Sequence, residues 1–243
     1  MAFALLMLLA PALAFAQADY AREKRWADEV VPAIIVGDAV ALEIPSGRKF
    51  LGIYAPARVG APGVVVVHGL GVHPDWDLIN ALRSQLADQG VATLSVQMPV
   101  LGAAIRADRY EPVYPEAAER LAAAVRFLRE KGHGRVAIVS HSLGARMANH
   151  FLENAREPNV DAWVSIGMLG LYTGTGGLKL PVLDIYGERD FPAVRDNAQA
   201  RAESLRRIRG SAQIEVPGAD HFFTGQEADL VRTIKLFLDQ QLR

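Results

Sequence analysis

The chain has 243 residues, of which 51% are hydrophobic, so it can bury one sizeable core and is predicted to form a single domain. Lys and Arg number 26 against 27 Asp and Glu, and this balance excludes a net field that would recruit nucleic acid or an anionic membrane. The absence of cysteine excludes disulfides, thiolate metal sites and a cysteine nucleophile.

The first predicted element is an export signal. Residues 3–16 form an apolar run that ends in small residues on either side of Phe15, directly ahead of Gln17. The run is too short to span a bilayer comfortably, and a charged segment at 21–25 follows it. We therefore expect a signal peptide at 1–16 and a periplasmic or secreted mature chain without stable membrane insertion. An uncleaved anchor and a buried first helix are the alternatives.

The next elements predict a mostly parallel sheet with one antiparallel edge. Apolar runs at 39–44 and 49–54, separated by Pro45-Ser46-Gly47, predict a hairpin at that edge. Further along, unbroken apolar runs alternate with amphipathic stretches, which is typical of buried strands covered by helices on both faces. The predicted buried strands are residues 64–67, 91–96, 136–139, 162–166 and 182–186, and residues 213–216 are predicted to form a last strand.

Amphipathic helices are predicted between and after these strands. Asp75 is the predicted N-cap of a helix that carries apolar residues at 76, 79, 82 and 86. Apolar residues recur at spacings of three or four from Tyr114 to Leu128, and again from Val231 to Leu238. The fold class is therefore α/β, with one domain over residues 17–243.

A strand-to-helix turn carries the main chemical motif, Ser140-His141-Ser142-Leu143-Gly144. A sharp turn of this kind lifts the central serine clear of the sheet and leaves space only for small residues two positions before and after it. The motif alone is also compatible with an N-cap serine followed by a glycine. In this context the sequence resembles the α/β-hydrolase superfamily from about residue 33 onward, although Ser140 stands where the superfamily usually has glycine.

The resemblance implies a Ser–Asp–His triad in that chain order. Ser142 would be the nucleophile, His221 the general base in the loop after the last strand, and Asp190 the acid that orients it. Asp190 lies three residues beyond Gly187, a frequent position of the acid in the superfamily. Asp184 and Glu188 are the fallback acids.

The resemblance also implies an oxyanion hole and a family branch. His68-Gly69-Leu70-Gly71 follows the strand at 64–67, so the backbone N–H groups of Leu70 and Leu143 are the expected oxyanion donors. Residues 68–76 and 140–146 are similar to a poorly characterised, exported, esterase- or lipase-like bacterial branch. Only residues 168–180 separate two strands where many hydrolases insert a lid, so no large lid domain is expected.

The loops after the strands supply the expected substrate contacts, which are mostly apolar or aromatic. These residues are His73, Met98, Leu101, Met168, Tyr172, Phe191 and Phe222, with Pro99, Val100, Leu169 and Phe223 beside them. Their character favours an uncharged acyl or aryl group. Arg106 and Arg109 are either a solvated rim or, if they face the site, a signal for an anionic ester.

These features predict a serine hydrolase that cleaves small to medium carboxylic esters, with no cofactor and no metal. His68, with His73 and Asp75, does not gather further metal ligands, and His68, His133, His141 and His150 are interpreted as structural. A thioesterase or an amidase or peptidase would use the same triad. A non-catalytic envelope binding protein of the same fold is the alternative of a different class. The sequence leaves the oligomeric state and the physiological substrate undetermined.

Overall fold

Eight strands form one sheet in the computed structural model, which describes residues 18–243. The predicted signal peptide at 1–16 lies outside the described residues. The strand order is β1-β2-β4-β3-β5-β6-β7-β8. The strands are β1 (Asp38–Glu43), β2 (Lys49–Ala55), β3 (Gly63–Val67), β4 (Ala92–Val96), β5 (Val136–His141), β6 (Ala162–Ile166), β7 (Val182–Gly187) and β8 (Ala212–Val216).

The predicted hairpin is confirmed at one edge of this sheet. β1 pairs with β2 in antiparallel register, with Asp38 opposite Tyr54, and β2 pairs with β4 in the same sense. Every pairing from β4 through β3 to β8 is parallel. The carboxyl ends of these parallel strands therefore lie along one edge of the sheet, and loops that follow different strands meet there.

Helices cover both faces of the sheet. They are α1 (Tyr20–Val30), α2 (Asp77–Asp88), α3 (Tyr114–Glu130), α4 (Leu143–Asn154), α5 (Pro192–Arg195), α6 (Ala198–Leu205) and α7 (Glu227–Gln241). Side chains on β3 show the two-sided burial: Val65 and Val67 pack with α3 and α4, whereas Val64 and Val66 pack with α2 and α7. This alternation is the period of two that a strand imposes on its side chains.

The structure differs from the sequence-based prediction at Asp75. Trp76 is the N-cap residue of α2 and makes no side-chain capping bond. The Asp75 carboxylate instead accepts hydrogen bonds from Asn80 Nδ2 (2.7 Å) and from the buried guanidinium of Arg83 (Nε, 2.6 Å). A charge-assisted bond to a buried arginine is stronger than a capping bond, and it draws the carboxylate away from the helix end.

Helices α1, α5 and α6 were not predicted from the sequence. The segment between β6 and β7 contains only a single 3₁₀ turn at Thr175–Gly177, so no lid domain is inserted there. Within residues 18–243, none of the helices combines the length and the apolar character required to cross a bilayer.

Candidate active site

Ser142 occupies the sharp turn between β5 and α4. Its backbone has φ 56° and ψ −121°, a conformation that is uncommon for a residue with a side chain. Its N–H donates to the carbonyl of Ile166 on the neighbouring strand (2.8 Å), which fixes the turn to the sheet. A Cβ at Gly144 would collide with the carbonyl oxygen of His68, so the turn requires glycine at that position.

Ser140, which stands where the superfamily usually has glycine, is accommodated by hydrogen bonds below the turn. Its hydroxyl accepts from the indole Nε1–H of Trp163 (2.8 Å) and donates to the carbonyl of Val164 (3.2 Å). Ser140 and Trp163 are both buried, so these hydrogen bonds satisfy polar atoms that would otherwise be unpaired. The departure from glycine therefore does not disturb the turn at Ser142.

Three side chains from three loops form a connected relay. His221 Nδ1–H donates to Asp190 Oδ1 (2.6 Å), which leaves Nε2 to accept the hydroxyl proton of Ser142 (2.9 Å). Ser142, Asp190 and His221 are all buried. This is the arrangement in which an imidazole can remove the serine proton while a carboxylate holds its tautomer.

Gly167, the residue after β6, allows the relay to close. Its backbone has φ +57°, and a Cβ there would lie 3.0 Å from His221 Cε1 and 3.3 Å from Asp190 Oδ2. Asp190 Oδ1 also accepts the backbone N–H of Phe191 (2.7 Å), which orients the carboxylate. The imidazole of His221 and the carboxylate of Asp190 are thus packed, on one side, against a residue that has no side chain.

The two fallback acids do not contact His221. Asp184 is fully buried within β7, where Oδ2 accepts from Arg201 Nε (2.9 Å) and from Gln213 Nε2 (2.7 Å). Glu188 is exposed and accepts the backbone N–H of Gly218 (2.7 Å). Asp190 is the acid that the fold brings to the imidazole.

The side chain of His68 fixes the loop that carries Leu70. The Nδ1–H of His68 donates to the carbonyl of Gly69 (2.9 Å), and Nε2 accepts the backbone N–H of Met98 (2.9 Å). Burial lowers the pKa of His68 to about 3, so the ring stays neutral. A Cβ at Gly69 would lie 3.1 Å from Ser142 Cβ, so this loop passes directly beside the serine.

The two expected oxyanion donors lie on either side of Ser142. Leu143 is the first residue of α4, where a backbone N–H has no acceptor within its own helix. Leu70 follows Gly69 in the adjacent loop and is 38% exposed. The fold therefore brings both segments to the serine, while their role as donors remains a prediction.

His141 has a contact that the sequence did not reveal. Its Nε2–H donates to the backbone carbonyl of His221 (2.9 Å), and the two rings are 4.7 Å apart. Burial, together with the neighbouring His221 ring, lowers the pKa of His141 to about 3. His141 thus holds the loop of the base as a neutral side chain, and no local sequence signal could have shown this.

Helix α1 also contributes to the site, and the sequence showed it only as a charged segment. Arg22 donates to the carbonyls of Leu101 (2.8 Å) and Gly71 (3.4 Å), which belong to the loops after β4 and β3. Glu23 accepts from the buried guanidinium of Arg120 (3.0 Å) and from the N–H of Val100 (3.3 Å). The helix therefore connects the loop after β3, which passes beside Ser142, to the loop after β4.

Two of the predicted substrate contacts lie against His221. The ring of Phe191 is 4.3 Å from the imidazole and that of Phe222 is 5.1 Å from it, and they are 48% and 38% exposed. Trp76, which the sequence did not single out, packs edge-on against Phe222 at 5.5 Å. Two partly exposed aromatic rings therefore lie beside the base.

The other predicted substrate contacts are dispersed. Met98 and Tyr172 belong to the core instead of the site, because Met98 is 1% exposed and Tyr172 packs edge-on against Trp163 at 5.1 Å. His73 is half-buried, with its ring 5.8 Å from that of Trp26. Leu101 and Met168 are mostly buried, but each lines a surface cavity. Of the neighbouring residues, Phe223 is fully buried in the core.

Comparison with family models identifies the family of the chain. The chain matches the family model described as "Protein of unknown function (DUF3530)" over residues 37–118 and 114–240. No curated protein matches it significantly in sequence.

Several solved structures share the architecture. A serine hydrolase without a lid from Xanthomonas campestris has a TM-score of 0.67 at 17% identity, covering 85% of this chain and 95% of that chain. An esterase from Pyrococcus furiosus has a TM-score of 0.69 at 15% identity, covering 86% and 98%. Dienelactone hydrolase from Anabaena variabilis has a TM-score of 0.70 at 21% identity, covering 84% and 97%. At these identities the likeness shows the α/β-hydrolase fold.

Proposed function

The chain belongs to the DUF3530 family and has the α/β-hydrolase fold, and from this premise we propose that it is a serine hydrolase acting on carboxylic esters. The observation that carries the proposal is the relay from Asp190 through His221 to the hydroxyl of Ser142, at 2.6 and 2.9 Å. A fold of this class supports many functions, so the site and not the architecture carries the argument.

In the proposed reaction, His221 Nε2 takes the proton of Ser142 as Oγ attacks the ester carbonyl. Asp190 stabilises the imidazolium that forms, and the backbone N–H groups of Leu70 and Leu143 stabilise the developing oxyanion. The tetrahedral intermediate then collapses: the C–O bond to the alcohol breaks, and His221 returns the proton to the departing oxygen. Water, activated by the same base, releases the acid from the acyl-enzyme.

Small to medium acyl or aryl groups are the proposed substrates. Phe191 and Phe222 present exposed aromatic surface beside the imidazole, and burying such surface on binding is favourable. The segment between β6 and β7 adds no lid that would enclose a large ligand. We rank esters above amides because the alkoxide of an ester departs without the stronger leaving-group protonation that an amide needs. Thioesters are the alternative that the substrate comparison below tests.

The test is covalent labelling with a fluorophosphonate, together with hydrolysis of ester, thioester and amide substrates by the purified mature chain. The unmodified protein is expected to label and Ser142→Ala is not, while His221→Ala should label far more slowly. Ser165→Ala is the matched control, since Ser165 is a buried serine on the neighbouring strand β6. Labelling that survives Ser142→Ala would refute the nucleophile, and a preference for amides or thioesters would refute the substrate class.

We also propose that the mature protein is periplasmic or secreted. The proposal rests on the apolar run at 3–16 and the small residues before Gln17. N-terminal sequencing of the protein recovered from the periplasm or medium should begin near Gln17. Recovery of the chain with an intact N-terminus in the cytoplasm would contradict this location.

A further inference from the structure

Three adjoining cavities form a groove along the loop that follows β4. Their volumes are about 520, 270 and 400 Å³. The first and second share Glu111, the first and third share Asp108, and the second and third share Arg146 and Leu171. Because neighbouring cavities share lining residues, they lie side by side on one part of the surface, and together they are called the groove.

Two parts of the groove lining are close in sequence to residues of the candidate active site. Arg146 lies on α4 four residues after Ser142, about 6 Å along the helix. Side chains on a helix point towards its N-terminus, so Arg146 covers the turn nearest to the serine. The lining also contains Met168 and Leu169, which directly follow Gly167, the residue packed against His221.

Positive charge is in excess along this groove. Arg106, Arg109 and Arg146 line it, and they face the two acids Asp108 and Glu111. Arg146 is 3.5 Å from Glu111 and Arg106 is 3.7 Å from Asp108. Among the described residues, Arg109 has no ion pair. Both acids are largely exposed, so these pairs are weak and a ligand anion can replace them.

The arginines of the core are bound in a different way. Arg83, Arg120 and Arg201 are fully buried, and each donates to a carboxylate within hydrogen-bond distance and also to backbone carbonyls. Their positive charges are therefore already paired with carboxylates inside the fold. Arg146, with a side chain 28% exposed, is partly shielded from water, and within residues 18–243 its one contact to an acid is long. Such a guanidinium can make a charge-assisted bond to a ligand carboxylate.

The walls between these arginines are apolar. Ile105 and Leu171 are 40% and 52% exposed, and Met168 and Leu169 also line the groove. A short aliphatic chain that ends in an anion matches this combination. We propose that the groove binds the free carboxylate of the acyl group, with Arg146 as the main specificity-determining residue, so that the preferred substrates are half-esters of dicarboxylic acids. This inference rests on the proposed esterase function and adds a substrate class to it.

The test compares two esters that differ only at the far end of the acyl chain. These are p-nitrophenyl hydrogen glutarate, which has a terminal carboxylate, and p-nitrophenyl valerate, which has a methyl group there. The measured quantity is the ratio of their kcat/KM values. Loss of a charge-assisted hydrogen bond predicts that Arg146→Gln lowers this ratio by about tenfold or more, mainly through a higher KM for the glutarate.

Two variants serve as controls, one for the bidentate geometry of Arg146 and one for the loss of a positive charge elsewhere on the surface. Arg146→Lys keeps the charge without the bidentate geometry and should restore part of the ratio. Arg126→Gln removes an exposed arginine on α3 that pairs with Glu130 at 4.0 Å, and it should not change the ratio. A ratio unaffected by Arg146→Gln, or lowered equally by Arg126→Gln, would overturn the proposed anion site.

A binding measurement separates this inference from the proposed function. Calorimetry with the Ser142→Ala protein should show tighter binding of monomethyl glutarate than of dimethyl glutarate, and Arg146→Gln added to that background should abolish the difference. Binding of this kind by a protein that hydrolyses neither ester would support the anion site and refute the esterase. Serine-dependent hydrolysis of valerate, with equal binding of both glutarates, would support the esterase and refute the anion site.

Discussion

Gly167→Ala is expected to impair the base without removing any group of the relay. The added methyl would lie 3.0 Å from His221 Cε1 and 3.1 Å from Nδ1, closer than ordinary van der Waals contact, so the imidazole must move by a few tenths of an ångström. Phe191 packs on the ring at 4.3 Å and Asp190 holds Nδ1 at 2.6 Å. The displacement of the imidazole should therefore distort the hydrogen bond between Ser142 Oγ and His221 Nε2.

The size of the effect follows from the size of the displacement. A misplacement of about 1 Å costs roughly 100-fold in rate, so a few tenths of an ångström should lower kcat/KM by about three- to tenfold. Alanine in the left-handed region, which the φ of +57° requires, also destabilises the fold by about 1–2 kcal/mol. The two effects must be measured separately.

Gly132→Ala is the matched control for backbone strain. Gly132 has φ +89°, and nothing lies within 4 Å of the position of its Cβ. Both variants should lose about 1–2 kcal/mol of stability in urea unfolding. Only Gly167→Ala should hydrolyse p-nitrophenyl butyrate more slowly and react more slowly with a fluorophosphonate. Equal kcat/KM values for the two variants would refute the close packing of Gly167 against the base.

Two further predictions concern protonation and the choice of acid. Burial lowers the pKa of His68 and His141 from 6.5 to about 3. As the pH falls below 6.5, these two histidines are therefore protonated in the unfolded chain but stay neutral in the folded chain. The free energy of unfolding, measured by urea titration, should therefore fall by about 2 kcal/mol per histidine between pH 7 and 5. His141→Gln should show a smaller fall than the unmodified protein, and an equal fall would contradict this prediction. Asp190→Asn should lower kcat by about 10⁴-fold. Asp184→Asn should instead destabilise the fold by about 3–5 kcal/mol, because it leaves Arg201 without its charged partner, and comparable kcat losses in both variants would exclude Asp190 as the acid.

Locally encoded features were predictable from the sequence. The hairpin of β1 and β2, the buried strands and helix α3 depend on the spacing of apolar residues and on turn residues. The turn at Ser142 was predictable for the same reason, because a strand, a pentapeptide with small residues and a helix follow one another within about twenty residues.

Features that depend on distant partners were predicted poorly. Helix α1 is held by Glu23 and Arg120, which are 97 residues apart, and its own sequence is mostly polar. Asp75 has the local signature of an N-cap but is bound by Arg83 instead. Met98 lies in the loop after β4 and is apolar, which suits a pocket and a core equally, and only packing distinguishes the two.

By itself, the sequence determined the α/β class, the order of the strands along the chain and the three residues expected to share a site. Only the tertiary structure decided that Asp190 and not Asp184 lies against His221, that His141 holds the loop of the base, and that Arg146 lines a surface groove. The physical reason is that periodicity and turn preference act over a few residues, whereas the sheet order joins side chains that are far apart in the chain.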